Sequence, residues 1–247
     1  MLDAVRRSVM TTSNSLNHFL SPLSSRVLEP LERHLAIIDL PEGAVLYRNN
    51  ETIQRVYFPV TGMISFVVRF ADGQLVDSGS AGSNSAAGLT SLHDEATAIN
   101  DAIVRVAMKA ATISPHVLKT LVADSKSLCL SCIRHEKMML VLAQRMAACN
   151  AIHRLDQRLV RCLLQAHDLL NDDAVPVSLE ALSQMLGVNR SSVALALRML
   201  RKAGLIDYRL GRILLMDIDS LRDASCECYD AINAHFHRII GWDPNRH

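Results

Sequence analysis

No stretch of the 247 residues approaches the length of an apolar membrane span, so a spanning helix and a membrane partner are not expected. The first twenty residues, MLDAVRRSVMTTSNSLNHFL, have polar residues throughout and lack the sustained apolar core of an export signal, which makes the cytoplasm the expected compartment. Neither sign of charge dominates: 26 Lys and Arg against 25 Asp and Glu leave a net charge of +1, which argues against a protein that coats nucleic acid indiscriminately. No cysteine precedes Cys129, and in the expected compartment the six cysteines stay reduced, so no disulfide framework is implied. There is also no Gly-x-Ser-x-Gly elbow, no Walker loop and no carboxylate pair bracketing an apolar pocket signature. An enzyme is therefore not expected, nor is a cofactor.

What the chain does contain is most legible between Ser178 and Tyr208. Leu179, Leu182, Met185 and Leu186 recur at helical spacing behind Ser178, whose hydroxyl can cap the first turn. Gly187 ends that helix, Val188 can tuck into the following angle, and Asn189 or Ser191 can cap the next helix. On the second helix Val193, Ala196, Leu197 and Leu200 form an apolar stripe and leave Arg190, Ser191, Ser192, Ala194, Leu195 and Arg198 to face outward. This pattern predicts a helix-turn-helix. Ile206–Leu215 then reads as strand, Gly-bearing turn and strand, a wing with Arg209 and Arg212 at its tip. Between Gly187 and Ile213 six basic residues face one acidic residue, a local surplus that attracts a phosphate backbone. The competing reading of the two helices is a plain helical hairpin with a solvated charged face.

Upstream, LPEGAVLY is a turn into a strand, and Arg55–Phe70 reads as two strands broken at Pro59 and Gly62. Asp72-Gly73 between apolar runs predicts a hairpin. Gln74–Ser80, Ala102–Ala107 and a short strand ending at Ile113 continue the series, which implies a small antiparallel barrel or jelly roll. Ser114-Pro115 opens a helix, and a long helix follows from about Ser127 to His153. Ile133, Leu140, Ala147 and Ala151 mark one edge of it, with Met139, Ala143 and Met146 beside them. Self-association across this face is expected, because no second long helix nearby in sequence offers a partner; the alternative is that the helix lies on its own barrel. The expected organisation is α+β: residues 1–126 a jelly-roll sensor, 127–154 a dimerisation helix, and 155–247 the winged helix-turn-helix.

A jelly roll, a long helix and a winged helix-turn-helix in that order resemble the Crp-Fnr family of bacterial transcription regulators. LPEGAVLY, VYFPVTGMIS, ADGQLVDSG, MLGVNRSSVALALRMLRKAGLIDYRLGRI and CECY at Cys226–Tyr229 carry the likeness. The resemblance implies a homodimer that reads a palindromic DNA operator, with RNA polymerase as a further partner. It places Arg190, Ser191, Ser192 and Leu195 at base edges, and Ser178, Asn189, Arg198, Arg209 and Arg212 at phosphates. Ser191 stands where many members carry Glu, and Leu195 where the cyclic-AMP-responsive type carries a second Arg, so the familiar half-site does not carry over.

The departures from the family bear on the ligand. Members that bind cyclic AMP hold its ribose and phosphate with a Glu and an Arg in one loop. The corresponding Ser78–Leu89 loop lacks both, and neither Arg105 nor Glu95 falls at the expected place. A small anion on the backbone N–H groups around Gly82, Ser83, Asn84, Ser85 and Gly88 and an empty, structural barrel both stay open. The effector is therefore unknown and cyclic AMP is not expected.

Oxygen sensors of the family carry an N-terminal cysteine cluster, which is missing here. Cys129 and Cys132 have the two-residue spacing of metal and redox sites, against which stands simple packing of small residues. Cys149 and Cys162 read as structural. Cys226 and Cys228 with His235 and His237 supply four soft ligands at a spacing that matches no finger motif, so no metal is assigned. His18, His34, His93, His116 and His135 are isolated and expected to be solvated or capping. The expected function is a DNA-binding regulator; the alternative is a cyclic-nucleotide-type sensor that works through protein contacts with a degenerate helix-turn-helix.

Overall fold

A computed structural model describes residues 17–93 and 96–243, so Glu95 lies outside the described residues. The chain groups into two compact units, one within Met1–Ile64 and Ala81–Glu136, the other within Ser65–Ser80 and Lys137–His247. The elements run α1 (Ser25–Glu32), β1 (Ala36–Leu40), β2 (Val45–Tyr47), β3 (Val56–Pro59), β4 (Met63–Arg69), β5 (Leu75–Ala81), β6 (Asp101–Val106), β7 (Met108–Ile113), α2 (Pro115–Asp124) and α3 (Lys126–Ile152). Then come α4 (Leu155–Leu170), β8 (Ala174–Val175), α5 (Leu179–Leu186), α6 (Arg190–Lys202), β9 (Ile206–Arg209), β10 (Arg212–Leu215), α7 (Ile218–Ala224) and α8 (Cys228–Ile240). The architecture is α+β, with antiparallel sheets before the long helix and the helix-turn-helix after it.

The N-terminal strands form two sheets, of order β1-β7-β3 and β2-β6-β4-β5. In the first, Ala36 lies opposite Thr112 and Val56 opposite Ile113, so both neighbours of β7 run antiparallel to it. The chain breaks between β3 and β4 where expected: Gly62 has φ 76°, and a Cβ there would sit 2.5 Å from the Ala107 carbonyl oxygen. The hairpin β4–β5 turns at Asp72-Gly73, whose carboxylate accepts from the Gln74 N–H at 2.9 Å. Phe19, Leu31, Val56, Phe58, Ile113 and Leu128 lie together in the core of this unit. Leu128 and Cys132 thus bring one face of α3 onto that core, which is the helix-on-barrel alternative realised over its first turns.

Farther along α3 the expected dimer edge needs a correction. Met139 and Met146 pack, with Met138 and Leu142, against Ile232, Phe236 and Trp242 of the C-terminal segment, where Phe236 and Trp242 meet edge to face with centroids 5.4 Å apart. A helix far away in sequence, α8, supplies the intramolecular partner that no neighbouring segment offers. The apolar residues left exposed on α3 include Ile133 at 55% and Leu140 at 59%, with Ala143 and Ala147 also exposed.

Candidate nucleic-acid interface

In the second unit α5 and α6 form the helix-turn-helix. Ser178 precedes α5 in extended backbone, and its hydroxyl accepts from the Ala181 N–H at 3.1 Å; Gly187 closes the helix at φ 63°. Asn189 then caps α6, accepting from the Ser192 N–H at 2.9 Å. Val193, Ala196, Leu197 and Leu200 are buried, as their spacing predicts, whereas Leu179 is partly exposed at the edge of α5. From below, α4 carries two arginines into the interior. Arg158 donates through Nη2 to the Leu186 carbonyl, tying off the last turn of α5, and Arg161 donates to Gln165. Position of the turn before α6 is thereby held by a buried guanidinium rather than by apolar contact alone.

Burial on one side fixes what α6 shows on the other. Arg190, Ser191, Leu195 and Arg198 are exposed, Ser192 and Ala194 half-buried, and Met199 joins them on the open face. The Ser191 hydroxyl turns back to donate to Asn189 Oδ1 at 2.7 Å. Arg190, at the first turn, is ion-paired through Nη2 with Glu180 of α5. The sequence reading missed this partner; an acidic residue in the first turn of α5 is its only trace in the sequence.

The wing forms as expected. Strand β10 pairs with β9 and β8, in the order β8-β10-β9, and Leu210 and Gly211 at φ 51° and 77° make the two-residue turn. Arg209 and Arg212 are cross-strand partners at its end. Arg212 reaches the Asp172 carboxylate at 3.2 Å, and Arg201 pairs with Asp207 at 2.9 Å over the Tyr208 ring. Arg198 and Arg209 have no ion-pair partner among the described residues. These pairs are exposed, so each is weak in water and can be traded for a phosphate contact.

The proposed effector loop belongs to the first unit and is turned inward. Gly82, Asn84, Ser85 and Gly88 are buried and Ser83 half-buried. The loop is held by its own chain: His18 N–H donates to the Ser83 carbonyl at 2.7 Å, and Asn17 Nδ2 to the Ser85 carbonyl at 3.0 Å. His135 is not solvated, contrary to its sequence reading. It is buried on α3, its Nε2 accepts from the Ala86 N–H at 3.1 Å, and it lies 2.7 Å from the Ser85 hydroxyl and edge-on to Phe19. Accepting at Nε2 puts the proton on Nδ1, and burial pushes the ring's pKa down to about 4. Neither side-chain amide atom of the buried Asn84 has a hydrogen-bond partner among the described residues.

The cysteines sort differently from their spacing. Cys132 packs in the apolar core, where burial, then Cys129 and Glu136, push its thiol up to about 12. Cys226 and Cys228 do lie in a group of ligand atoms, but with Cys149 and His153 rather than His235 and His237. Seven residues of helix carry His235 about 10 Å along the axis from Cys228, too far to close on one ion. The pair that belongs to the group, Cys149 and His153, has the four-residue spacing of one helix face, and that spacing was the available signal.

A helix-turn-helix with capped helices, an exposed α6 face that opens with Arg190, and a two-stranded wing ending in Arg209 and Arg212 define a winged helix-turn-helix protein. Residues 157–224 match the Crp-like helix-turn-helix domain. Solved structures share the fold over most of the chain. FixK2 from Bradyrhizobium japonicum is 15% identical with a TM-score of 0.69, covering 78% of this chain and 98% of that one. CLP from Xanthomonas campestris, described as a c-di-GMP-responsive global regulator, is 20% identical with a TM-score of 0.65, covering 78% and 100%. A CooA mutant from Carboxydothermus hydrogenoformans is 17% identical with a TM-score of 0.59, covering 87% and 97%. No curated protein matches the chain. This protein therefore carries a Crp-like helix-turn-helix domain within the fold of the Crp-Fnr regulators. Among the described residues no helix is long and apolar enough to cross a membrane.

Proposed function

We propose that the protein is a DNA-binding transcription regulator of the Crp-Fnr type, acting by binding rather than catalysis. The observation that carries this reading is the open face of α6, with Arg190, Ser191, Leu195 and Arg198 exposed beside a wing that ends in Arg209 and Arg212. Arg190 at the first turn suits a bidentate contact to guanine, while Leu195 offers only apolar contact, as to a thymine methyl. Ser178 and Asn189 at the helix starts and Arg198, Arg209 and Arg212 suit the phosphates.

A homodimer reading a palindromic site is supported by the uncovered apolar edge of α3 at Ile133, Leu140 and Ala147, which a second copy would bury. The effector is not a cyclic mononucleotide: Gly82–Gly88 contains no cation to pair with a phosphodiester, and the Ser85, Ala86 and Ala87 N–H groups already donate to Gly82, His135 and Tyr57.

The test is retention of the purified full chain on fragments of its own genome at two salt concentrations, followed by sequencing of the bound fraction. Enrichment of a two-fold symmetric sequence with steep salt dependence is expected. Absence of any salt-dependent retention would favour a sensor that works through protein contacts alone.

A further inference from the structure

Three cysteines and a histidine meet at the junction of α3, α4 and α8, inside the second unit. Cys149 lies in the last turn of α3 and His153 one helical turn on, where its N–H still bonds the Cys149 carbonyl at 3.0 Å. Cys226 and Cys228 flank the start of α8. The four ligand atoms all lie within 4.8 Å of one another. Cys149 Sγ is 3.6 Å from Cys226 Sγ, and Cys228 Sγ is 3.7 Å from His153 Nδ1.

We propose that Cys149, His153 Nδ1, Cys226 and Cys228 bind one tetrahedral divalent metal ion of the zinc class. With zinc–sulfur bonds near 2.3 Å and zinc–nitrogen bonds near 2.05 Å, a regular tetrahedron has a sulfur–sulfur edge of about 3.8 Å and a sulfur–nitrogen edge of about 3.6 Å. The two measured separations sit on those edges. A multinuclear iron–sulfur cluster would need its protein ligands spread more widely than this group is, and a soft, sulfur-rich donor set disfavours magnesium or calcium.

Packing alone explains buried cysteines but not the histidine. His153 turns Nδ1 to the Cys228 sulfur and presents Nε2 to Glu227 Oε2 at 2.9 Å, the outer carboxylate that commonly orients a metal-bound imidazole and sets its tautomer. Glu227 is the residue between the two cysteines, so one short turn supplies two ligands and the carboxylate behind a third.

Buried positive charge acts on the group: Arg161 on Cys149, and Arg158 on Cys149 and Cys226. Arg158 and Arg161 are buried, with Nε of each and Nη2 of Arg161 lacking a hydrogen-bond partner among the described residues. Three thiolates on a divalent ion carry a net charge of −1, which offsets buried guanidinium charge that neutral thiols leave uncompensated. A disulfide needs the sulfurs at about 2.05 Å and uses neither the histidine nor Glu227.

The ligands are 77 residues apart at Cys149 and Cys226, and α4, the helix-turn-helix and the wing all lie between them. The ion therefore closes the loop that contains the DNA-binding elements and fastens α8 to the α3–α4 junction. This consequence for DNA, unlike the site itself, rests on the function proposed above.

The experiment uses the untagged full chain, purified under reducing conditions and stripped with a chelator, and probes it with Co2+ and then Zn2+. Intense d–d bands of tetrahedral cobalt with a thiolate charge-transfer band, saturating at one ion per chain and bleached by zinc, are expected. Cys228→Ser and His153→Asn should each lose the stoichiometric signal, and Cys162→Ser should keep it. Glu227→Gln, which leaves all ligands in place, should retain the spectrum and weaken affinity roughly ten- to a hundredfold.

Pale octahedral spectra, sub-stoichiometric binding, or a wild-type chain in which Cys149 and Cys226 oxidise to a disulfide in the presence of zinc would overturn the proposal. Unfolding of the cysteine variants does not blunt the test, since wild-type stoichiometry and the Glu227→Gln shift stand without them. A chain that binds one zinc yet retains no DNA with or without it would sink the regulatory reading and leave the metal site intact.

Discussion

Arg190, at the first turn of α6, is ion-paired with Glu180 on the preceding helix of the helix-turn-helix. The side chains are 67% and 45% exposed, so the pair stabilises the free protein by only about 0–1 kcal/mol. In the proposed DNA complex its larger effect falls on binding: Arg190 would have to leave a carboxylate before it reached a base, and the carboxylate would then face the DNA. Glu180→Gln should tighten DNA binding roughly two- to fivefold at low salt, with little change in thermal stability. A fluorescence-anisotropy titration checks this; unchanged or weaker binding would show that the pair is not a competitor.

Removal of the reader and removal of the wing should separate. Arg190→Ala should cost about 1–3 kcal/mol on the preferred sequence and relax choice at one base pair of each half-site. Arg209→Ala and Arg212→Ala should weaken all sequences alike and flatten the salt dependence. Selection of bound sequences for each variant, repeated at two salt concentrations, decides. If Arg212→Ala alters base preference while Arg190→Ala preserves it, α6 does not enter the groove as assigned.

Leu140 is 59% exposed on the uncovered edge of the long helix. Leu140→Glu should put a charge in each half of a symmetric seam, give monomers, and abolish most DNA affinity while leaving the fold intact. Sedimentation of an unchanged dimer would remove the proposed interface.

Neither cyclic AMP nor cyclic GMP should bind at micromolar concentration, because the buried Gly82–Gly88 loop offers no charged partner to the phosphodiester. Titration calorimetry with each nucleotide measures this directly, and micromolar heat-saturable binding contradicts it.

The helix-turn-helix was legible because local chemistry dictates it: Ser178 and Asn189 cap their helices, Gly187 takes the left-handed turn, and four apolar residues mark one face of α6. The breaks at Gly62 and Asp72-Gly73 were legible for the same reason. Contacts across long separations were not. Trp242 on Met138 and Leu142, Cys226 beside Cys149, and Asn17 on Ser85 join segments 68 or more residues apart in sequence, and no periodicity reports them. Helix α4 was not singled out, since Arg158 and Arg161 interrupt its apolar face yet are buried. His135 misled because a lone histidine on a helix carries no mark of which face turns inward.

That histidine sets a dependence on acid. Burial lowers the His135 pKa from 6.5 to about 4 in the folded chain, so the unfolded chain takes up the proton first as pH falls. Stability from the neutral, Ser85-bonded ring is fully present above pH 6.5 and is lost as pH falls from 6.5 towards 4, by roughly 2–4 kcal/mol in all. His135→Gln keeps a polar side chain of similar reach but cannot take a proton, so it should lower stability at pH 7 while removing this share of the acid loss. Other groups titrate in both proteins and cancel in the difference. Denaturant unfolding of wild type and variant at pH 7 and pH 4.5, followed by near-ultraviolet circular dichroism, gives the comparison. Wild type should lose more stability than His135→Gln between the two pH values; equal losses would mean that the ring takes up its proton without leaving its place in the core.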